Sequence, residues 1–192
     1  MVFISAGCAS RASLDEAMAE AAREQARQQS DYDALTRSLQ EEIAAGQLTI
    51  QRLEGRLAIV LVNRVLFNSG EAIILPPGRE VLDQVGAALA TINDKRIVIE
   101  GHTDDVAIGQ RLAQVYPSNW ELSTARATNV ARYMIANSGI NEYNISVAGF
   151  AYTRPVATNA TEEGRAQNRR IEILLFPLES YSPVLMGTSG SQ

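Results

Sequence analysis

The chain has 192 residues, 46% of them hydrophobic, and a formal net charge of −5. That composition supports one cored domain plus an extension, and the acidic balance argues against a nucleic-acid backbone as partner. A single cysteine excludes an intramolecular disulfide, and no stretch reaches the ~20 apolar residues of a membrane-spanning helix.

Residues 1–12 contain Phe3-Ile4-Ser5-Ala6-Gly7-Cys8-Ala9-Ser10. Ser-Ala-Gly-Cys looks like a bacterial lipobox, whose cysteine is lipidated after signal-peptide cleavage. A Leu is usual where Ser5 stands. The segment before Cys8 has no basic region and almost no apolar core, so a start further upstream is expected. Cys8 is the expected lipid-anchor site.

Residues 13–55 are rich in Ala, Glu, Gln and Arg and lack proline, which predicts a helical spacer. Ser13 and Glu16 have the spacing of a capping box. Leu14, Met18, Tyr32, Leu35 and Leu39 form a thin apolar stripe. After a shift it restarts at Ile43, Gly46, Ile50, Leu53 and Leu57, as a coiled-coil stutter would. Two readings fit: a solitary spacer, and a weak homodimer through this seam.

A globular part is expected over 56–177. Leu57–Leu61 and Val65–Phe67 read as two strands, in a hairpin. Pro76-Pro77-Gly78 opens a helix with Val81, Leu82, Val85, Ala88, Leu89 and Ile92 on one face. Lys95–Glu100 is the next strand. A long loop follows, and Ser118 with Glu121 makes a capping box for a second helix. That helix should bury Trp120, Ala127, Val130, Ala131 and Met134, and end at Ser138-Gly139. Ile145–Gly149 reads as a strand, 161–166 as a short helix, and Ile171–Phe176 as the last strand. The Ser/Gly-rich tail, 178–192, reads as disordered.

The informative stretch is Gly101-His102-Thr103-Asp104-Asp105, followed by Asn119-Trp120-Glu121-Leu122-Ser123-Thr124-Ala125-Arg126. A carboxylate at a strand end and an arginine early in the next helix make a receptor for a zwitterion. The carboxylate takes an ammonium group, and the guanidinium fork takes a carboxylate through two parallel hydrogen bonds. Arg126 falls on the flank of the apolar stripe, where its replacement should leave the fold intact. His102 is the sole histidine. With no metal-ligand set or nucleophile in sight, it reads as a residue that hydrogen-bonds at the strand end.

These segments resemble the OmpA-like peptidoglycan-binding family, which includes the C-terminal domains of MotB stator proteins and Pal lipoproteins. The matching pieces are Gly101-His102-Thr103-Asp104, Asn119, Leu122-Ser123 and Arg126-Ala127, then Gly149, Pro155, Asn159, Gly164-Arg165 and Asn168-Arg169-Arg170. They span about 65–176.

The resemblance implies an α+β fold, a two-layer sandwich of helices on a mixed sheet, and a non-catalytic grip on the diaminopimelate of the peptidoglycan stem by Asp104 and Arg126. Thr103, Asn119 and Leu122 would complete the pocket, and Arg169 would line it or order the Asp104 loop. No cofactor, metal or catalytic residue is expected, and a hydrolase lacks its acid pair or nucleophile. The leading expectation is a lipoprotein tethering the outer membrane to the wall from its periplasmic face. The alternative is a piece of a MotB-like stator.

Overall fold

The computed structural model describes residues 11–53, 56–92 and 94–178, apart from the side chains of Ala12 and Leu53. Cys8 and the tail beyond Leu178 lie outside the described residues.

Among the described residues, five strands form one mixed sheet: β1 (Leu48–Leu53), β2 (Arg56–Val62), β3 (Lys95–His102), β4 (Ile145–Gly149) and β5 (Arg170–Pro177), in the spatial order β1-β2-β5-β3-β4. Only β3 and β4 run parallel. A parallel pair needs a crossover, and helix α6 (Asn119–Ser138) supplies it. Helices α1 (Arg11–Ser38), α2 (Gln40–Ala44) and α4 (Pro76–Ala90) complete the main helical set, with short turns α3 (Asn63–Leu66), α5 (Gln110–Ala113) and α7 (Glu162–Asn168).

The core lies between the sheet and its helices. Leu57, Ile59, Leu61, Ile97, Ile99, Ile171, Ile173 and Leu175 project from alternate strand positions onto Val81, Leu82, Val85 and Leu89 of α4 and Ala127, Val130 and Met134 of α6. This is the expected two-layer α+β arrangement. Helix α4 begins with proline in its first turn, as expected. The Ser118–Glu121 capping box forms: Glu121 accepts from the Ser118 backbone N–H at 2.8 Å, and Ser118 Oγ accepts from Trp120 N–H at 3.1 Å. Gly139, at φ 66°, ends α6 in the left-handed region that glycine tolerates.

The structure corrects four local expectations. The helical spacer stops at Ala44, and 48–53 is a strand. Leu48 and Ile50 lie two apart, on one face of a strand, while Gly46, Ile50, Leu53 and Leu57 recur at three–four spacing, so the local pattern suits either element. Antiparallel pairing with the apolar run of β2 decides, for instance Ile50 opposite Ile59. The hairpin is therefore β1–β2, and Asn63–Leu66 is a helical turn, not a second strand of a hairpin with Leu57–Leu61. Ser13 is not the start of α1, which is already helical at Arg11. Trp120 is 46% exposed and does not bury against the sheet. It lies one turn before Ser123, which already abuts Gly101 near the end of β3.

The C-terminal part of α1 belongs to the domain. Leu35 and Leu39 are fully buried in the main core, with Tyr32 packed beside them. The Arg52 guanidinium stacks on the Tyr32 ring at 4.8 Å, and Lys95 pairs with Asp31 at 3.3 Å. These residues are spent within the chain. Together with the strand pairing of Ile50 and the burial of Leu57, this commits that part of the expected dimer seam to the domain itself. Leu14 and Met18, further out, are exposed. No helix of the described residues is long and apolar enough to cross a membrane.

Candidate functional site

β3 carries the chain through Gly101 and His102 to Thr103 and Asp104, all buried. Thr103 N–H donates to Ala151 O at 2.8 Å, which fastens the strand end to the segment after β4. The Thr103 hydroxyl donates to Asp104 O at 2.7 Å, so it braces the backbone. Asn119, at the start of α6, donates from Nδ2 to Val106 O at 2.9 Å and holds the loop after Asp104. Leu122 sits one turn later, buried.

Asp104 is tied twice. Its Oδ1 accepts from Val106 N–H at 3.2 Å, and its Oδ2 accepts from Arg169 at 2.6 Å. Arg169 follows α7 and bridges on to Glu162. Glu162 escaped the sequence reading. The signal for it was the seven-residue separation from Arg169, about two turns of the same helix face. Asp105 is exposed.

Arg126 differs from its expectation. It is 2% exposed, enclosed rather than on an open flank. Its Nε donates to Glu71 O at 2.8 Å and its Nη2 to Asn68 O at 3.3 Å, while the guanidinium lies over the Phe67 ring at 5.2 Å. Among the described residues no carboxylate pairs with it. Burial pushes its pKa down to about 10, against the opposing pull of Tyr116 and Asp104, with Arg169 adding to the depression. A buried guanidinium neutralised by neither a carboxylate nor open water favours an incoming anion.

Thr103, Asp104, Asn119, Leu122, Arg126 and Arg169 all line one cleft of about 1280 Å³. So the structure gathers into one place every residue the sequence singled out for the pocket. It does not join Asp104 directly to Arg126; Arg169 takes the carboxylate. Asn168 takes no part. Its buried amide accepts from Val156 N–H and Ala157 N–H and donates to Ala157 O and Asn159 Oδ1, holding the 156–159 loop in place. His102 also departs from expectation, since neither ring nitrogen has a hydrogen-bond partner among the described residues.

Motility protein B of Bacillus subtilis is 33% identical over 131 residues, covering 68% of this chain and 49% of that protein. The protein named "Probable lipoprotein YiaD" in Escherichia coli is 31% identical over 146 residues, covering 76% of this chain and 63% of that one. The chain thus spans only about half to three fifths of these relatives. Among solved structures, the cell wall anchor of the T6SS from Pseudomonas aeruginosa superposes with a TM-score of 0.66 at 35% identity, covering 74% of this chain and 96% of that one. Residues 66–169, more than half of the sequence and the whole stretch from the turn before α4 to Arg169, match the OmpA family, and the chain belongs to it.

Proposed function

We propose that this protein binds peptidoglycan without turning it over, and that its cleft takes the diaminopimelate end of a peptide stem. The observation that carries this reading is Arg126: a cation enclosed at the back of the cleft, bonded only to carbonyl oxygens among the described residues. A ligand carboxylate would supply the missing anion. Asp104 lines the same cleft, and its two oxygens offer about four lone-pair sites. Two are taken by Val106 and Arg169, which leaves capacity for a ligand ammonium. Family membership and the likeness to a cell wall anchor support the same reading.

Pull-down on purified peptidoglycan sacculi tests it. Asp104→Ala removes the ammonium acceptor and leaves Arg169 paired with Glu162. Binding should fall roughly tenfold, as about 1.4 kcal/mol implies. A folded Asp104→Ala protein that binds sacculi like wild type would refute the zwitterion grip.

The lipobox-like Cys8 and the likeness to the E. coli protein named as a lipoprotein support a lipid-anchored tether between the outer membrane and the wall. The likeness to Motility protein B supports a second reading, a MotB-like wall anchor of a motor. Labelled fatty acid separates the two in cells. The tether reading expects label on the wild type and none on Cys8→Ala; equal labelling of the two removes it.

A further inference from the structure

The face of the sheet away from the helices carries a second cluster of ionisable groups. Glu100 on β3 and Glu172 on β5 are direct register partners. His102 lies two residues beyond Glu100, so strand alternation turns all three to one face. All three are buried, His102 to 2% exposure. Its Nε2 lies 3.7 Å from Glu100 Oε2 and 4.0 Å from Glu172 Oε1. The three donor atoms fall within 4.8 Å of one another.

The imidazole is the anomaly. Both its nitrogens are enclosed and neither has a hydrogen-bond partner among the described residues. Protein interiors rarely leave such groups unmatched. A neutral imidazole offers one nitrogen lone pair, and carboxylate oxygens of both Glu100 and Glu172 stand within 4.0 Å of Nε2.

We propose that Glu100, His102 and Glu172 bind a single divalent transition-metal ion of the zinc class. One imidazole and two carboxylates are a ligand set that zinc accepts, whereas calcium and magnesium prefer oxygen alone. Zinc–ligand bonds of ~2.0–2.2 Å place tetrahedral donors about 3.4 Å apart. The two separations from Nε2, 3.7 and 4.0 Å, and a set that spans up to 4.8 Å close to that spacing through side-chain shifts of up to about an ångström.

Two arginines share these carboxylates, and they differ in mobility. Arg170 is buried and donates to Glu172 Oε1 at 2.6 Å. Arg154 is 56% exposed, reaches Glu100 Oε2 at 3.4 Å, and rests on Phe150, whose ring stacks on His102. Arg154 is the displaceable cation and marks the side from which an ion enters. A dication exchanged for one guanidinium adds one net charge, which a bound water can offset by releasing a proton. The ion would clip β3 to β5 one residue before Thr103 and two after Arg170, at the edge of the cleft that Arg170 and Glu172 also line.

The sequence makes the test clean, because His102 is the only histidine and Cys8 the only cysteine. In ¹⁵N-labelled full chain carrying Cys8→Ser, one imidazole gives one set of ring signals. Titration with zinc chloride should shift them, saturating at one ion per chain. Glu172→Gln should weaken this response by roughly tenfold or more, as loss of a coordinating group does. Arg154→Ala should strengthen it by removing the competing cation. Ring signals that stay in place under excess zinc, in protein that remains folded, overturn the proposal, as does zinc uptake that leaves the imidazole untouched. The Cys8→Ser protein alone decides the matter if a further variant fails to fold, and the readout is independent of sacculus binding.

Discussion

Arg126→Met should cost the protein nearly all its retention on peptidoglycan sacculi while leaving it folded. In the proposed complex the guanidinium donates two charge-assisted hydrogen bonds to a ligand carboxylate, each worth about 1.5–3 kcal/mol. Losing both corresponds to roughly a hundredfold weaker binding or more. The cost to the fold is smaller, for three reasons. Burial already penalises the charged form, which is why the Arg126 pKa sits near 10, so removing the charge returns part of that penalty. Methionine keeps the apolar stem against Phe67. The carbonyls left behind belong to Asn68 and Glu71, both exposed residues that water can reach. Thermal unfolding and sacculus pull-down on the same preparation separate the two effects. A folded Arg126→Met protein that still binds sacculi would remove the anion site. Arg126→Lys should fail too, because a point charge does not reproduce the fork.

Gly101→Ala should be the most damaging single change to stability. A Cβ at this position would overlap the Ser123 carbonyl oxygen and lie 2.9 Å from its carbon. Neither side can yield cheaply. β3 is hydrogen-bonded on both edges, to β5 and to β4, with Gly101 opposite Ile171 on one side and Gly149 on the other. The obstructing atoms are the backbone of α6, held by its capped first turn. Overpacking commonly costs about 1–3 kcal/mol, and here backbone meets backbone, so about 4–5 kcal/mol is expected. That is a large share of a typical domain's stability. Urea denaturation checks the value; a midpoint within error of wild type would show that the helix can slide. The contact also explains the site's dimensions. A side chain at 101 would lift α6 off β3 and carry Arg126 away from Asp104.

The sequence disclosed the parts of this fold whose signals are local. The Ser118–Glu121 box, Pro76 and Gly139 mark helix ends through backbone chemistry that needs no tertiary partner. The β-branched run Ile97–Ile99, the alternation in Ile145–Gly149 and the apolar run Ile171–Phe176 mark strands for the same reason. The six pocket residues were legible because family motifs and charge type agree at Asp104 and Arg126. What was hidden depends on partners distant in sequence. Leu48–Leu53 becomes a strand because β2 lies beside it. Trp120 stays exposed because the sheet beneath α6 has ended. Arg126 is enclosed because the Phe67–Glu71 turn closes over it. Glu100 and Glu172 are 72 positions apart in numbering, and only antiparallel pairing makes them neighbours of His102.

Helix α1 sets a length. Its contacts with the domain begin near Gln29, which bonds Arg52, and run on to Leu39. The residues from Arg11 to that point project about 27 Å at 1.5 Å per residue. The helix is thus a rigid stand-off with a welded foot, and its reach is counted in residues rather than averaged over a flexible chain. Removing seven residues between Leu14 and Gln28 would shorten it by about 10 Å and rotate its outer end by only ~20°, leaving foot and cleft unchanged. Removing four would swing the outer end by about 40° as well. Whatever holds the far end, this rod fixes both how high the cleft is carried and which way it faces.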